Sequence, residues 1–443
     1  MEGGSQAVRA FKRLKIVISA VALALLVSAC GGAAEQQQAA DNLKSPVDLV
    51  LASTENGDRI FILNGLQGSL AIYNPKKGKF VRGATDDEDS PYFFEPFLFD
   101  LDSSKDGRLL ISCAERGMVY VFDPSTKERK ELKLNTNPVH ISCSLSDDIC
   151  ALIPTNEQKI LILTMDDLKW NEYQLGVLPI LALIVGQNIY YFCTDEIAVA
   201  SVSSPDVITS EISIIGVPQA MVYSEHDKSI YLATSDSSKL WIFEPESQAL
   251  DVVDLPERAF ATSLVDVEGE LYLVGAEGSV YAYLKDKKRF CGSSATRPAF
   301  VDQGIFSDPE MSEVSVRDCL VGDEKWKVEY DQKERAYTVE GEKSGRQMAM
   351  AYEDQTYFSD TGAISFVIHS GDYHTTDGDR FEFSTEAGIA AMKVGLMPRA
   401  AIAWFKDDED KDKQRWLIFV ANALSDSISV IDTKKHKVTD MLE

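Results

Sequence analysis

One short strand recurs along this chain. "SLAIYN", "MVYVFD", "KILILT", "EIAVAS", "KLWIFE", "SVYAYL" and "SISVID" end at Asn74, Asp123, Thr164, Ser201, Glu244, Leu284 and Asp432, at intervals of 49, 41, 37, 43, 40 and then 148 residues. A second marker keeps the same spacing. Pro46, Pro96, Pro138, Pro179 and Pro218 each open an apolar strand, at intervals of 50, 42, 41 and 39. The sixth repeat has Arg258-Ala259 at that place, and Pro398 resumes the series. Proline is tolerated at a strand's first residue because no ladder donor is lost there. Such a period bounds the fold before any other feature, since each unit buries its faces only against its neighbours.

Each unit divides into four short strands. In the fifth they are "QAMVYSE", "SIYLATS", "KLWIFE" and "ALDVVDL", joined by polar turns such as "HDK" and "SDSS". Four strands at a period of about 42 residues is the signature of a β-propeller blade. Seven units close a ring, with blades expected at 45–90, 94–136, 137–178, 179–216, 217–257, 258–300 and 396–443. The 148-residue interval then contains one blade and an insertion. The expected fold class is all-β: blades one to six at 45–300, a β-rich, sandwich-like module at 301–395, and blade seven at 396–443. The last repeat, "FVANALSDSISVIDTKKHKV", resembles the YVTN repeat family, and "IIGVPQAMVYSEHDKSIYLATSDSSKLWIFEPES" is a looser copy. The middle blades depart: "NIYYFCTDEIAVASV" lacks the Asn and Asp of the pattern. The resemblance implies a fold more than an activity. No Gly-His…Trp-Asp pairs recur, which sets WD40 repeats aside.

From about Cys291 to Val394 the composition changes to apolar–polar alternation between Gly/Asp turns, the pattern of strands buried on one side. "EAGIAAMKVGL" takes either a short helical turn or a return strand. A degenerate eighth blade using "GAISFVIHS" is the alternative to a separate module, but a blade uses only ~42 of these residues.

The N-terminus sets the compartment. Arg9, Lys12, Arg13 and Lys15 precede the apolar run Ile16 to Val27, which is shorter than the ~20 residues a membrane-spanning helix needs. The run ends in "LVSAC", and this order of segments resembles a bacterial lipoprotein signal peptide, residues 1–29. The resemblance implies that Cys30 is acylated and becomes the first mature residue, anchoring the chain in a membrane. Gly31 after the cysteine is similar to outer-membrane lipoproteins of the cell envelope. Residues 30–44 lack periodicity and read as a flexible tether.

The formal charge of −26 argues against nucleic acid as a partner and against direct docking on anionic lipid. Past Cys30 stand Cys113, Cys143, Cys150, Cys193, Cys291 and Cys319, in an oxidising compartment. Cys143 and Cys150 flank a hairpin turn and Cys291 and Cys319 bracket the entry to the insertion; these are the two expected disulfides, with other pairings open. Cys113 and Cys193 read as small core residues.

No HExxH, CxxCH, nucleophile elbow, phosphate loop or dinucleotide fingerprint stands in a supporting context, so no catalytic residue, cofactor or metal is assigned. His369 and His374, near Asp372, Asp377 and Asp379, read as a solvated turn rather than a metal site. Asp407 to Gln414 resembles half a calcium loop but lacks the turn Gly and closing Glu. The acidic loops with Asp86, Asp87, Glu88 and Asp89, and with Asp407, Asp408, Asp410 and Asp412, are expected to face a partner, since loops on rigid scaffolds carry function. The expected function is a membrane-anchored scaffold for a protein or polysaccharide. The alternative is a lactonase-like hydrolase or lyase at the central channel, for which His140 is the one histidine on an inner strand.

Overall fold

The computed structural model describes residues 43–443 apart from 55–56, 82–91, 145, 236–237, 257–258, 302–308, 318, 372–374 and 409. Cys30, most of the tether, His374, Asp372 and the acidic residues Asp86, Asp87, Glu88 and Asp89 lie outside the described residues. Among those described, no helix is long and apolar enough to cross a membrane.

Seven antiparallel sheets share one plan, each with its four strands paired in chain order. The first comprises Pro46–Thr54, Gly57–Asn64, Ser69–Asn74 and Lys79–Val81; the others open at Leu101, Pro138, Pro179, Pro218, Ala261 and Pro398. Second and third strands such as Leu109–Cys113 and Met118–Phe122 are buried along their whole length. They read as continuous apolar runs because both of their faces are covered. Fourth strands such as Arg129–Lys133 and Lys169–Gln174 are polar and mostly exposed, so they form the outer rim.

The cores lie between sheets. Successive residues of a strand point to opposite faces, so the neighbours Ile418 and Phe419 enter different cores. Phe419 packs with Leu49, Ile60 and Ile62 of the first sheet, while Ile418 packs with Tyr272, Val274 and Val280 of the sixth. The same sharing joins every other adjacent pair of these sheets. Opening strands touch in the same order, and Pro398–Lys406 meets both Ala261–Val267 and Pro46–Thr54. Six of these opening strands shift register immediately after their first residue, as at Pro46/Asp48 and Pro138/His140. A bulge of this kind re-aims the side chain next to it.

The rim strand of the sixth sheet is split. Arg289–Phe290 pairs with Leu284 and Tyr283, and Met392–Lys393 pairs with Val280 and Ser279, so one partner strand carries both halves. Met392–Lys393 is the return strand; the helical turn is not formed. Between the halves lie two further sheets around one core that includes Trp326, Val328, Tyr337, Ile364, Phe366 and Phe381. "GAISFVIHS" belongs there, since Ile364–His369 pairs with three short strands of this body. Its first strand, Ser294–Ala295, pairs with Glu386 and Thr385, so the body starts ahead of residue 301. Its neck is tight. Ile389 N–H donates to the Cys291 carbonyl at 2.8 Å, and a Cβ at Gly388 would collide with that same carbonyl.

Cys143 and Cys150, register partners in a hairpin, form a disulfide, and Cys291–Cys319 closes a 28-residue excursion at the neck. Cys113 and Cys193 are free thiols buried in inter-sheet cores.

Candidate functional site

Two places bring chemistry-bearing side chains together. The first is the inner edge of the ring. Asp48 Oδ2 accepts from the Leu101 N–H at 2.7 Å, Asp100 Oδ2 from the Ile141 N–H at 2.5 Å, and Asp102 Oδ2 from the Cys143 N–H at 2.7 Å. His140 continues the chain: Nδ1 lies 3.1 Å from Asp100 Oδ2, and Nε2 lies 3.0 Å from the Ala182 carbonyl. Each side chain on one opening strand therefore holds the backbone of the next. Although protein surrounds the pair, Asp100 is 22% and His140 17% accessible, because the axial side of the ring carries no sheet.

The electrostatics follow from burial and neighbours. Burial, with the neighbouring Asp100 charge and hydrogen bond, pushes the Asp48 carboxyl well above the usual range. Burial also works against the Asp100 charge, but the His140 charge and hydrogen bond outweigh it and hold that carboxyl low. The two neighbouring carboxyls are thus pushed in opposite directions, Asp48 upward and Asp100 downward. His140 is raised, the Asp100 charge overcoming burial. Burial lifts Asp102 to about 6 despite two backbone donors. Burial lowers the Arg399 guanidinium, with Asp48 opposing.

Asp102 makes a measurable prediction. A carboxyl raised from 3.8 to about 6 on folding stabilises the fold below about pH 4, and that contribution disappears as pH rises through 6. Asp102→Asn removes this part of the pH dependence, on the order of 2 kcal/mol after allowing for its partial contact with water. Thermal melts at pH 4.5, 6 and 8 check it. An unchanged slope in the variant refutes the assignment.

The second place is a cleft of about 1460 Å³ between the fifth and sixth sheets and the neck of the inserted body. His226, Glu244, Asp251, Lys287, Lys288 and Glu386 are among its lining residues. Lys285 forms a buried corner of it, with Nζ 3.2 Å from Asp227, 2.5 Å from Asp266 and 2.8 Å from Ser224 Oγ. Lys288 Nζ pairs with Asp251 at 2.8 Å. The walls thus mix both signs of charge.

The acidic hairpin builds its own turn. Asp410 accepts from the Asp412 N–H at 3.1 Å and caps the 3-10 turn Lys411–Lys413, while Asp407 accepts from Gln414 Nε2 at 2.7 Å. Asp408 accepts from the Asp410 N–H at 3.2 Å. His369 stands 3.3 Å from Asp354 on the surface. Among the described residues, no group of three His, Cys, Asp or Glu side chains is placed to hold a metal. Asp48, Asp100, Asp102 and Arg399 belong to no sequence motif. Asp48 and His140 both stand two residues after their opening proline, and that shared offset is the signal that finds them.

No protein-family model matches the sequence, and no curated protein matches it. Solved structures do match. Hydrazine synthase from Kuenenia stuttgartiensis aligns over 91% of this chain and 99% of its own, at 13% identity and a TM-score of 0.55. Virginiamycin B lyase from Staphylococcus aureus aligns over 56% of this chain and 84% of its own, at 15% identity and a TM-score of 0.47. The hydrazine synthase is a β-propeller protein. This chain has a β-propeller fold. At such identities the likeness extends to fold alone. In the propeller, the carboxylates of the inner edge accept from backbone N–H groups of adjacent sheets and so clasp one sheet to the next.

Proposed function

We propose that the protein is an extracytoplasmic lipoprotein, acylated at Cys30, whose propeller serves as a binding scaffold for a protein or polysaccharide. In this reading all seven four-stranded sheets are blades of one ring. The body between the halves of the split rim strand is an inserted, sandwich-like domain. One observation carries the binding role: the cleft of about 1460 Å³ between that domain and the sixth sheet. Small-molecule pockets usually enclose about 300–1000 Å³, so this cleft fits a length of peptide or glycan. Its mixed charges suit a polar partner, and the tether confines the protein to the envelope where such a partner is met.

The test is cross-linking and affinity capture from the native envelope, with the intact protein and with a variant whose residues 294–386 are replaced by a short Gly-Ser linker. We expect the partner captured by the intact protein to be lost from the variant. Identical partners for both proteins would end the cleft reading, and an unmodified Cys30 by mass spectrometry would end the anchor reading.

A further inference from the structure

The two faces of the ring differ in polarity. Because every sheet runs up and down in the same order, each opening strand begins, and each second strand ends, on one face. On the connections at that face stand Leu66, Leu178, Ile215, Phe260, Leu396 and Leu424, between 42% (Leu178) and 66% (Leu396) exposed. They come from different turns, so they surround the axis rather than line a groove. Backbone bonds hold two of the turns together: the Leu424 N–H donates to the Leu396 carbonyl at 3.2 Å. The turns of this face also expose Glu115, Arg116, Asp195 and Glu277, while those of the opposite face are charged as in Glu225 to Lys228, Lys285 to Lys288 and Lys434 to His436. Outer strands and the inserted body aside, Phe405 is the exposed large apolar side chain described at that face.

The N-terminal segment joins the ring on the apolar face. The Lys44 N–H donates to Asn64 Oδ1 at 3.0 Å, the Ser45 N–H to Asp426 Oδ1 at 2.6 Å, and Lys44 Nζ pairs with Asp426 at 3.0 Å. Asp426 belongs to the same turn as Leu424. From Cys30 to Leu43 the chain advances 13 residues, and that length reaches at most about 45 Å. An anchor at Cys30 therefore reaches the bilayer from the side of this face.

We propose that the apolar face rests on the membrane that holds the acyl anchor, with its ring of single Leu, Ile and Phe side chains inserted at the level of the headgroups and upper acyl chains. The proposal rests on the acylated-lipoprotein reading. A plane suits six side chains spread around a ring, whereas a peptide suits a groove. The net charge of −26 makes the matching surface zwitterionic rather than anionic.

The experiment places the acylated, full mature protein in phosphatidylcholine nanodiscs carrying a photoactivatable diazirine in the acyl chain, and maps lipid adducts by mass spectrometry. Adducts are expected on peptides bearing Leu178, Ile215, Phe260, Leu396 and Leu424, at least tenfold above those bearing Lys285 to Arg289. The variant I215S/F260S/L396S/L424S should lose them tenfold while keeping its acyl chains and its circular dichroism. An acylated, folded protein with equal labelling of both faces, or with cross-links to a second copy at these residues, overturns the proposal alone. An unacylated Cys30 overturns both this proposal and the anchor on which it rests.

Discussion

A chain lacking residues 398–443 should fail to form a cooperative fold, with no sharp thermal transition and with aggregation on gel filtration. The last sheet closes two inter-sheet cores. Phe419, Ala421, Ile428 and Val430 cover one side of the first sheet, and Ile418, Val420 and Ile431 cover one side of the sixth. Removing them also uncovers their partners, Ile60, Ile62 and Tyr73 on one side and Tyr272, Val274 and Val280 on the other. With ~1.5–3 kcal/mol for each large buried side chain, the loss exceeds ~15 kcal/mol. The whole stability of a folded domain is about 5–15 kcal/mol. A ring also has no spare edge: without its last member, two strongly apolar sheet faces meet water. A truncated chain that melts cooperatively at the parent temperature would show that these cores are not shared in the way described.

Lys285→Ala should destabilise the protein by about 3–5 kcal/mol, the usual result of removing one partner from a buried ion cluster. The ammonium offers three donors and meets Asp227, Asp266 and Ser224 Oγ, with the Tyr231 ring centroid 5.0 Å away. Lys285 is 9% accessible, so its absence leaves two carboxylates with little water to replace it. Asp227 has burial against its charge and is held low by the Tyr231 and Ser224 hydrogen bonds and by Lys285. A carboxyl held low stabilises the fold above its ordinary range and loses that contribution as pH falls. The variant's deficit should therefore shrink on acidification, as Asp227 protonates in both states. Lys285→Met, which keeps the length of the stem, should behave like Lys285→Ala, separating charge from packing. Denaturant midpoints at pH 4 and pH 7.5 decide the matter, and a deficit under ~1 kcal/mol at neutral pH would refute the cluster's role.

The recurrence of sheets was legible because two physical demands repeat. An opening residue needs no ladder donor, hence Pro46, Pro138, Pro179, Pro218 and Pro398. A third strand covered on both faces is buried along its whole length, which selects the apolar centre of "SLAIYN" and the Ile and Val of "SISVID", whose serines and Asp432 are buried as well. The disulfide pair Cys143–Cys150 was legible for a similar reason, since a hairpin turn places its flanks opposite each other. The split rim strand was not legible. Arg289–Phe290 and Met392–Lys393 are two residues each. Halves this short carry no period, and their common partner appears only in three dimensions. The entry to the inserted body was blurred too, because Ser294–Ala295 takes its place only by pairing with Glu386 and Thr385 far along the chain. At the inner edge, Asp48 and His140 share an offset from their prolines, but Asp100 and Arg399 break it. Asp407 and Asp410 each also accept a hydrogen bond within the hairpin, a local role that sequence alone does not display.

The divided rim strand carries a mechanical meaning. Its halves dock end to end along one edge of Ser279–Leu284, so the distance between them is dictated by the propeller and not by what lies between. The sixth sheet thus works as a socket. A compact body whose two ends emerge opposite Tyr283 and Val280, with two residues between them along that strand, fits this socket. Force applied to that body peels at a peripheral strand and leaves the closed inner circuit intact.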